Sequence, residues 1–282
     1  MIHIICALIC EAAPLLARYR MKKDPGSGLF KIYSNQDAGI TLTVSGTGKI
    51  NAAAATSYTH GYYHTGKSDA WLNIGIAGHQ LLDIGTVILA HSIHDMENNT
   101  TWYPQIVFAT SCPGMALKTL VQPSTEYGKY VFDMEAAGFF AIASRIATCE
   151  LVHVIKVISD NQSEPAVRKP DKSVICSLIE NRMDAIDNTI NSIRQLSREL
   201  IAVNAIPPEY FACLERWHFT WYERRTLHNQ LTRWQVLYPD ISVLDQSGNI
   251  VHAQQFLQFL ENQLNKAPIH YRSNDQKHIH RR

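Results

Sequence analysis

The chain has 282 residues, 46% of them hydrophobic, and its 26 basic residues against 25 acidic ones leave a formal net charge of +1. That length suffices for one large domain, or one domain with an appendage. The balanced charge sets up no global field toward nucleic acid or an anionic membrane, and no stretch approaches the roughly 20 apolar residues of a membrane span.

Met1 to Leu8 is apolar, lacks a basic leading segment and runs straight into Glu11. It predicts a first buried strand and not a signal peptide. Glu11–Arg20 predicts a helix, and the β-branched alternation of Gly39–Ser45 predicts a strand. Gly46-Thr47-Gly48 then turns the chain into a helix of small residues over Asn51–His60, where Ala52 to Ala55 allow close approach to a sheet. Trp71–Ile76 and Thr86–Ser92 read as strands, and Ile106–Ala109 as a further short one. Met134–Ala147 predicts an apolar helix, Leu151–Ser159 a strongly apolar strand, and Ser173–Ile201 one long amphipathic helix. Strands that alternate with helices, several as continuous apolar runs, specify an α/β layered domain with a mostly buried sheet. In such sheets ligands bind beyond the carboxyl ends of the strands.

The tail differs. Pro207-Pro208 stops the long helix, and Glu209–Tyr238 is rich in Trp, Tyr, Arg and His. A short hairpin is expected around Ser247-Gly248-Asn249, a helix over His252–Leu264, and a frayed polar end from Ser273 to Arg282. The expected division is residues 1–202 and a mostly helical appendage at residues 203–282. Trp217, Trp221, Leu227, Leu231 and Trp234 fall at roughly helical spacing, with Arg216, Arg224, Arg225 and Arg233 beside or between them. That pattern predicts packing, as a docking or oligomerisation element for a protein partner, ahead of a single-stranded nucleic-acid surface. Cys6, Cys10, Cys112, Cys149, Cys176 and Cys213 form no C-x-x-C pair, which predicts free thiols in a reducing cytoplasm.

Three carboxylates stand at strand or helix ends: Glu11, Glu135 and Asp160. Singly, each reads as a solvated first-turn residue or a cap. Their contexts point elsewhere. Asp160 follows the apolar run Val152–Ile158, and Glu135 sits within Phe132-Asp133-Met134-Glu135-Ala136-Ala137-Gly138. A carboxylate in such dry surroundings is costly unless paired, bonded or protonated, and suits acid catalysis.

Five segments occur in one order: Ala7-Leu8-Ile9-Cys10-Glu11-Ala12, Ser45-Gly46-Thr47-Gly48-Lys49, Asn73-Ile74-Gly75-Ile76-Ala77-Gly78, Asp133-Met134-Glu135-Ala136 and Val157-Ile158-Ser159-Asp160. In order and approximate spacing the chain resembles the methylthioadenosine/S-adenosylhomocysteine nucleosidases and their relatives, the futalosine hydrolases and purine nucleoside phosphorylases, over roughly residues 1–200. The resemblance implies a three-layer α/β domain of the nucleoside phosphorylase type with a mixed central sheet, a homodimer at least, and no cofactor or metal. It implies that Asp160 protonates or hydrogen-bonds N7 of a purine, supported by Ser159, and that Glu11 activates the attacking water. Glu135 would hold the ribose hydroxyls and Met134 pack on the sugar, with Ile76, Gly78 and Asp133 among the substrate contacts. Three carboxylates with three duties also fit, in physical terms, a bond cleavage that builds positive charge on the sugar and negative charge on the base.

There are departures. Ile76 stands where many nucleosidases carry a serine that helps hold the water, and Lys156 where an arginine is common, with an orienting role toward Glu135. Asn73 stands where phosphorylases carry a phosphate-gripping arginine; with Glu11 it favours water over phosphate, although Arg18, Arg20 and Lys49 leave an anion site open. Tyr127 and Tyr130 are the candidates to stack on the base. Gly46-Thr47-Gly48-Lys49 is no Walker loop, since Thr43 and Ile50 replace its required residues. His60, His64, His79, His91 and His94 show no metal-ligand spacing; His79 is expected at the pocket mouth, and His278 and His280 have no specific role. The expected activity is hydrolysis of a 5′-substituted or 5′-deoxy purine nucleoside, with adenine as the base. A phosphorylase and a non-catalytic nucleoside-binding module are the alternatives.

Overall fold

A computed structural model describes residues 1–124, 126–165, 171–203 and 205–266. Ser273 to Arg282, with His278 and His280, lie outside the described residues. The chain divides into two compact units, Met1–Ile201 and Ala202–Arg282.

In chain order the strands of the first unit are β1 (Ile2–Cys6), β2 (Lys22–Lys23), β3 (Lys31–Asn35), β4 (Ile40–Val44), β5 (Ala70–Gly78), β6 (Val87–Asp95), β7 (Thr100–Trp102), β8 (Gly114–Thr119), β9 (Val131–Asp133) and β10 (Val152–Asp160). Its helices are α1 (Ile9–Arg18), α2 (Lys49–Tyr63), α3 (Ala136–Ile146), α4 (Lys172–Glu180) and α5 (Met183–Val203). Strands β4, β1, β5 and β10 run parallel and side by side. From β10 the sheet continues through β6, β8 and β9, and β9 returns to pair with β5 at Gly78–Phe132, so these strands close into a ring.

Period-2 alternation splits the apolar residues between two cores. Ile2, Ile4, Leu72, Ile74, Ile155 and Val157 face one side, with Leu15, Ile179, Ile186 and Ile190 of the helices. Ile5, Trp71, Val152, Val154 and Ile158 face the other, with Ala52, Ala55 and Phe139. This is the three-layer arrangement with a mixed sheet that the resemblance implies. Helices α2 and α3 cross so closely that a Cβ on Gly138 would lie 1.9 Å from the carbonyl oxygen of Lys49.

Two expectations for this unit are corrected. Ile106–Ala109 is not a strand; Ile106 and Phe108 pack on the core from a loop, which satisfies the same apolar pattern without pairing. The helix expected over Ser173–Ile201 breaks at Asn181-Arg182, where Arg182 N–H bonds back to Ile179 O. The break keeps the phase: Ile175, Ile179, Met183, Ile186 and Ile190 are all buried, so the periodicity runs through it unmarked.

The second unit is helical: α6 (Tyr210–Arg216), α7 (Trp221–Leu237), α8 (Val243–Gln246) and α9 (Ala253–Lys266). Its own core holds Trp217, Leu227, Leu231, Trp234, Phe256 and Leu260, and Trp217 stacks on Phe256 at 4.1 Å. Trp221 is 77% exposed, against expectation. It is the first residue of α7, directly after the Thr220 cap and inside the Thr220–Glu223 capping box. Six residues before Leu227 at about 3.6 residues per turn, it is out of phase with the buried face. The hairpin expected at Ser247-Gly248-Asn249 is a turn after α8. Among the described residues, no helix is long and apolar enough to cross a membrane.

Candidate active site

The parallel strands β1, β5 and β10 deliver their carboxyl ends to one cleft of about 240 Å³. All eight residues singled out in the sequence line it: Glu11, Ile76, Gly78, Asp133, Met134, Glu135, Ser159 and Asp160. The size is just under the roughly 300–1,000 Å³ of most small-molecule sites. Leu8, Thr47, Leu120 and Phe132 complete much of the wall. Phe132 brings an aromatic ring that the sequence reading did not assign, although it adjoins the Asp133-Met134-Glu135 segment.

Glu11 lies in the first turn of α1 and is 3% exposed. Its Oε2 accepts the Leu8 N–H at 2.8 Å and its Oε1 the Ile76 N–H at 2.9 Å. Burial raises its pKa above the ordinary value, while Lys156 and these N–H donors oppose the rise. A raised carboxyl that stays bonded as the anion is a better base than a solvated one.

Asp133, Glu135 and Lys156 form a buried charged cluster. Asp133 accepts from Thr119 Oγ1 at 2.7 Å and from the N–H groups of Glu135 and Ala136 at 3.2 and 2.8 Å. With Lys156 Nζ at 2.8 Å as well, its carboxylate is committed to holding the start of α3. Glu135 Oε1 accepts the Gly48 N–H at 2.8 Å, and its Oε2 lies 3.9 Å from Lys156 Nζ. Burial, with the adjacent Asp133 charge, pushes Glu135 up to about 7 against the pull of Lys156. Burial alone would drive the proton off Lys156, but Asp133 and Glu135 hold it on and its pKa ends above the ordinary value. Lys156 therefore serves Asp133 first and Glu135 second.

Asp160 is held differently. Ser159 Oγ donates to its Oδ1 at 2.5 Å and Tyr127 OH to its Oδ2 at 2.5 Å. A register shift lies between Ile158 and Asp160, whose partners on β5, Ala77 and Gly78, are consecutive. Ser159 is the extra residue, and the bulge brings two neighbouring side chains to one cavity where regular alternation would separate them. Gly78 leaves the space: a Cβ there would lie 2.8 Å from Asp160 Oδ2 and 3.1 Å from Tyr127 Cε1.

Other expected residues are placed elsewhere. Tyr130 lies under the Lys118 ammonium at 4.1 Å, and neither it nor Tyr127 lines the cleft. His79 is buried, its Nδ1 accepting the Leu81 and Leu82 N–H groups at 3.1 and 3.0 Å, so it shapes the turn after β5 and not the pocket mouth. Arg18 pairs with Asp187 at 2.6 Å, Lys49 pairs with Asp95 at 2.8 Å, and Arg20 is exposed. Among the described residues lining the cleft none is Arg or Lys, so no anion site is assembled from them. Asn73 donates to Ile5 O at 3.0 Å and holds β5 to β1.

No protein-family model and no curated protein matches the chain. Solved structures do. A 5′-methylthioadenosine nucleosidase of Arabidopsis thaliana matches with TM-score 0.52 and 16% identity, over 70% of this chain and 95% of its own. A methylthioadenosine/S-adenosylhomocysteine nucleosidase of Colwellia psychrerythraea, in complex with adenine, gives TM-score 0.53 and 17% identity over 69% and 95%. That of S. pneumoniae, with a transition-state inhibitor, gives 0.50 and 19% over 68% and 99%. The chain has the fold of these nucleosidases. At such identities the likeness is one of fold, and chemistry is argued from the cleft itself. In this nucleosidase fold the cleft gathers four carboxylates, Glu11, Asp133, Glu135 and Asp160, at the carboxyl edge of one sheet.

Proposed function

We propose that this chain hydrolyses the N-glycosidic bond of a purine nucleoside, an adenosine substituted or deoxygenated at the 5′ position. The observation that carries the reading is the contrast among the four carboxylates. Glu11, Asp133 and Glu135 accept from backbone N–H groups, and Lys156 stands beside them. Such donors cannot reverse, and they favour the charged form. Asp160 is held by two hydroxyls, which can donate or accept. Its carboxyl can carry or lose a proton without losing its partners, as an acid in a catalytic cycle must.

The roles follow. Asp160 gives its proton to N7 of the base as the C1′–N9 bond breaks and the bonding pair leaves with N9. Glu11 takes a proton from a water molecule, whose oxygen forms the new bond to C1′. Ile76, whose N–H holds Glu11, and Gly78, which adjoins Asp160, are two residues apart on β5, about 6.6 Å, which leaves room for a sugar between base and acid. Glu135 accepts the ribose hydroxyls and stabilises positive charge on the sugar; Met134 packs on the ring and Phe132 on the base. Ser159 steadies Asp160, Ile76 and Gly78 shape the floor, and Asp133 acts through the start of α3. The overall reaction releases free base and sugar and restores both carboxyls by exchange with water.

A phosphorylase is the second reading, and the pairing of Arg18 and Lys49 with other carboxylates counts against it. The deciding experiment is base release from methylthioadenosine, S-adenosylhomocysteine, 5′-deoxyadenosine, inosine and futalosine, each with and without phosphate. Phosphate-independent adenine release is expected. Release only with phosphate would make the chain a phosphorylase; no release from any of them would leave a nucleoside-binding module.

A further inference from the structure

We infer that Tyr127 is a positioning residue for the proton donor: from outside the cleft its hydroxyl holds Oδ2 of Asp160 and lets that carboxyl pass a proton without turning. The inference rests on the nucleosidase reading above and assigns a residue which that reading does not use.

Asp160 closes β10 and needs its orientation fixed from beyond the strand. Ser159 secures Oδ1, and it comes from the same bulge, so any movement of the strand end carries both residues together. Tyr127 is the independent anchor. It belongs to the segment between β8 and β9, and its hydroxyl donates to Oδ2 at 2.5 Å. Its ring lies against Gly78, with Cε1 3.1 Å from where a Cβ would stand. Asp160 and Gly78 line the cleft and Tyr127 does not. The tyrosine therefore backs the acid and leaves its open side to the base.

The chemistry of the contact suits transfer. A carboxyl oxygen has two lone-pair directions, so Oδ2 can accept from Tyr127 in one and face the base in the other. When Asp160 gives up its proton to N7, the phenol O–H stabilises the carboxylate left behind. An aliphatic hydroxyl is a weaker donor than a phenol, which makes Tyr127 the stronger of the two supports.

The test uses the full chain with methylthioadenosine as substrate and adenine as binding probe. Tyr127→Phe keeps the ring over Gly78 and removes only the hydroxyl. We expect kcat to fall roughly ten- to a hundredfold, as for loss of a hydrogen bond to a charged group. KM and the adenine Kd should stay within about threefold, since ground-state binding is not what the hydroxyl supports. As a second variant, 3,5-difluorotyrosine at position 127 retains ring and hydroxyl but makes the phenol more acidic; kcat should change with KM held. An unchanged kcat in both variants overturns the inference, and so does a parallel loss of adenine affinity, which marks a wall and not a support for the acid. Failure of the underlying reading shows separately, as wild-type protein that releases no adenine.

Discussion

Glu11 occupies the space that a side chain on Gly75 would need: its Oε1 stands 2.7 Å from the position of a Cβ there. The strand glycine and the helix carboxylate are two halves of one arrangement. Gly75→Ala should push Glu11 off the Ile76 N–H, costing about 1–3 kcal/mol by overpacking. If Glu11 activates the water as proposed, its displacement by even 1 Å should lower kcat about 100-fold. Urea unfolding and base release measured on the same preparation check both.

Asp160→Asn is nearly isosteric and keeps a partner for Ser159 and Tyr127. Base release should fall roughly 10²- to 10⁴-fold, the range of general acid catalysis. The melting temperature should move by no more than about 2 °C, at most about 1 kcal/mol for a unit of this size. A variant with wild-type turnover would remove Asp160 from the acid role.

Glu135 ends near 7 in the fold against 4.5 for an ordinary glutamate. Between those values the folded chain keeps a proton that the unfolded chain has released. Its contribution therefore favours the fold fully below about 4.5 and is lost as pH rises toward 7. Glu11, also raised by burial, adds with the same sign. Stability should fall by about 1–3 kcal/mol from pH 5 to pH 8, and Glu135→Gln should flatten that slope. In activity the proposed role of Glu135 reverses the dependence: kcat/KM of the wild type should climb through pH 7 as Glu135 takes the charged form assigned to holding the ribose hydroxyls.

Lys156 is 1% exposed and faces Asp133 at 2.8 Å. Lys156→Met fits the apolar strand but leaves two buried carboxylates without a cation. The expected cost is about 3–5 kcal/mol. Adding Glu135→Gln should recover part of it, because one uncompensated charge is then gone; a double mutant no more stable than the single would separate Glu135 from the cluster.

Much of the fold was legible because β1, β5 and β10 are largely apolar on both faces, and β5 and β10 end at Gly78 and Asp160. The strands β7, β8 and β9 were not legible. Val131–Asp133 meets β5 through a single residue pair, and so short a run carries no periodicity. Gly138 reads in sequence as a glycine within an apolar helix; only the crossing of α2 explains it. In the site, Glu11, Glu135 and Asp160 announced themselves as carboxylates set in dry surroundings. Tyr127 was named only as a candidate to stack on the base, since a loop tyrosine gives no hint of which strand end it will meet. Lys156 was read as an accessory to Glu135, because the stronger partner, Asp133, looked in sequence like one more substrate contact.

The bulge at Ser159 has a bearing on what the sequence is free to change. Whether Asp160 points into the cleft depends on a count, one residue more on β10 than on β5 between Ile158 and the strand ends. The apolar residues along either strand can be exchanged for others of similar volume, and Asp160 stays where it is. Removal of a single residue restores regular alternation and turns the carboxyl to the opposite face. An alignment that scores residue type alone weighs such a deletion as minor, although it would take the Asp160 carboxyl out of this cleft.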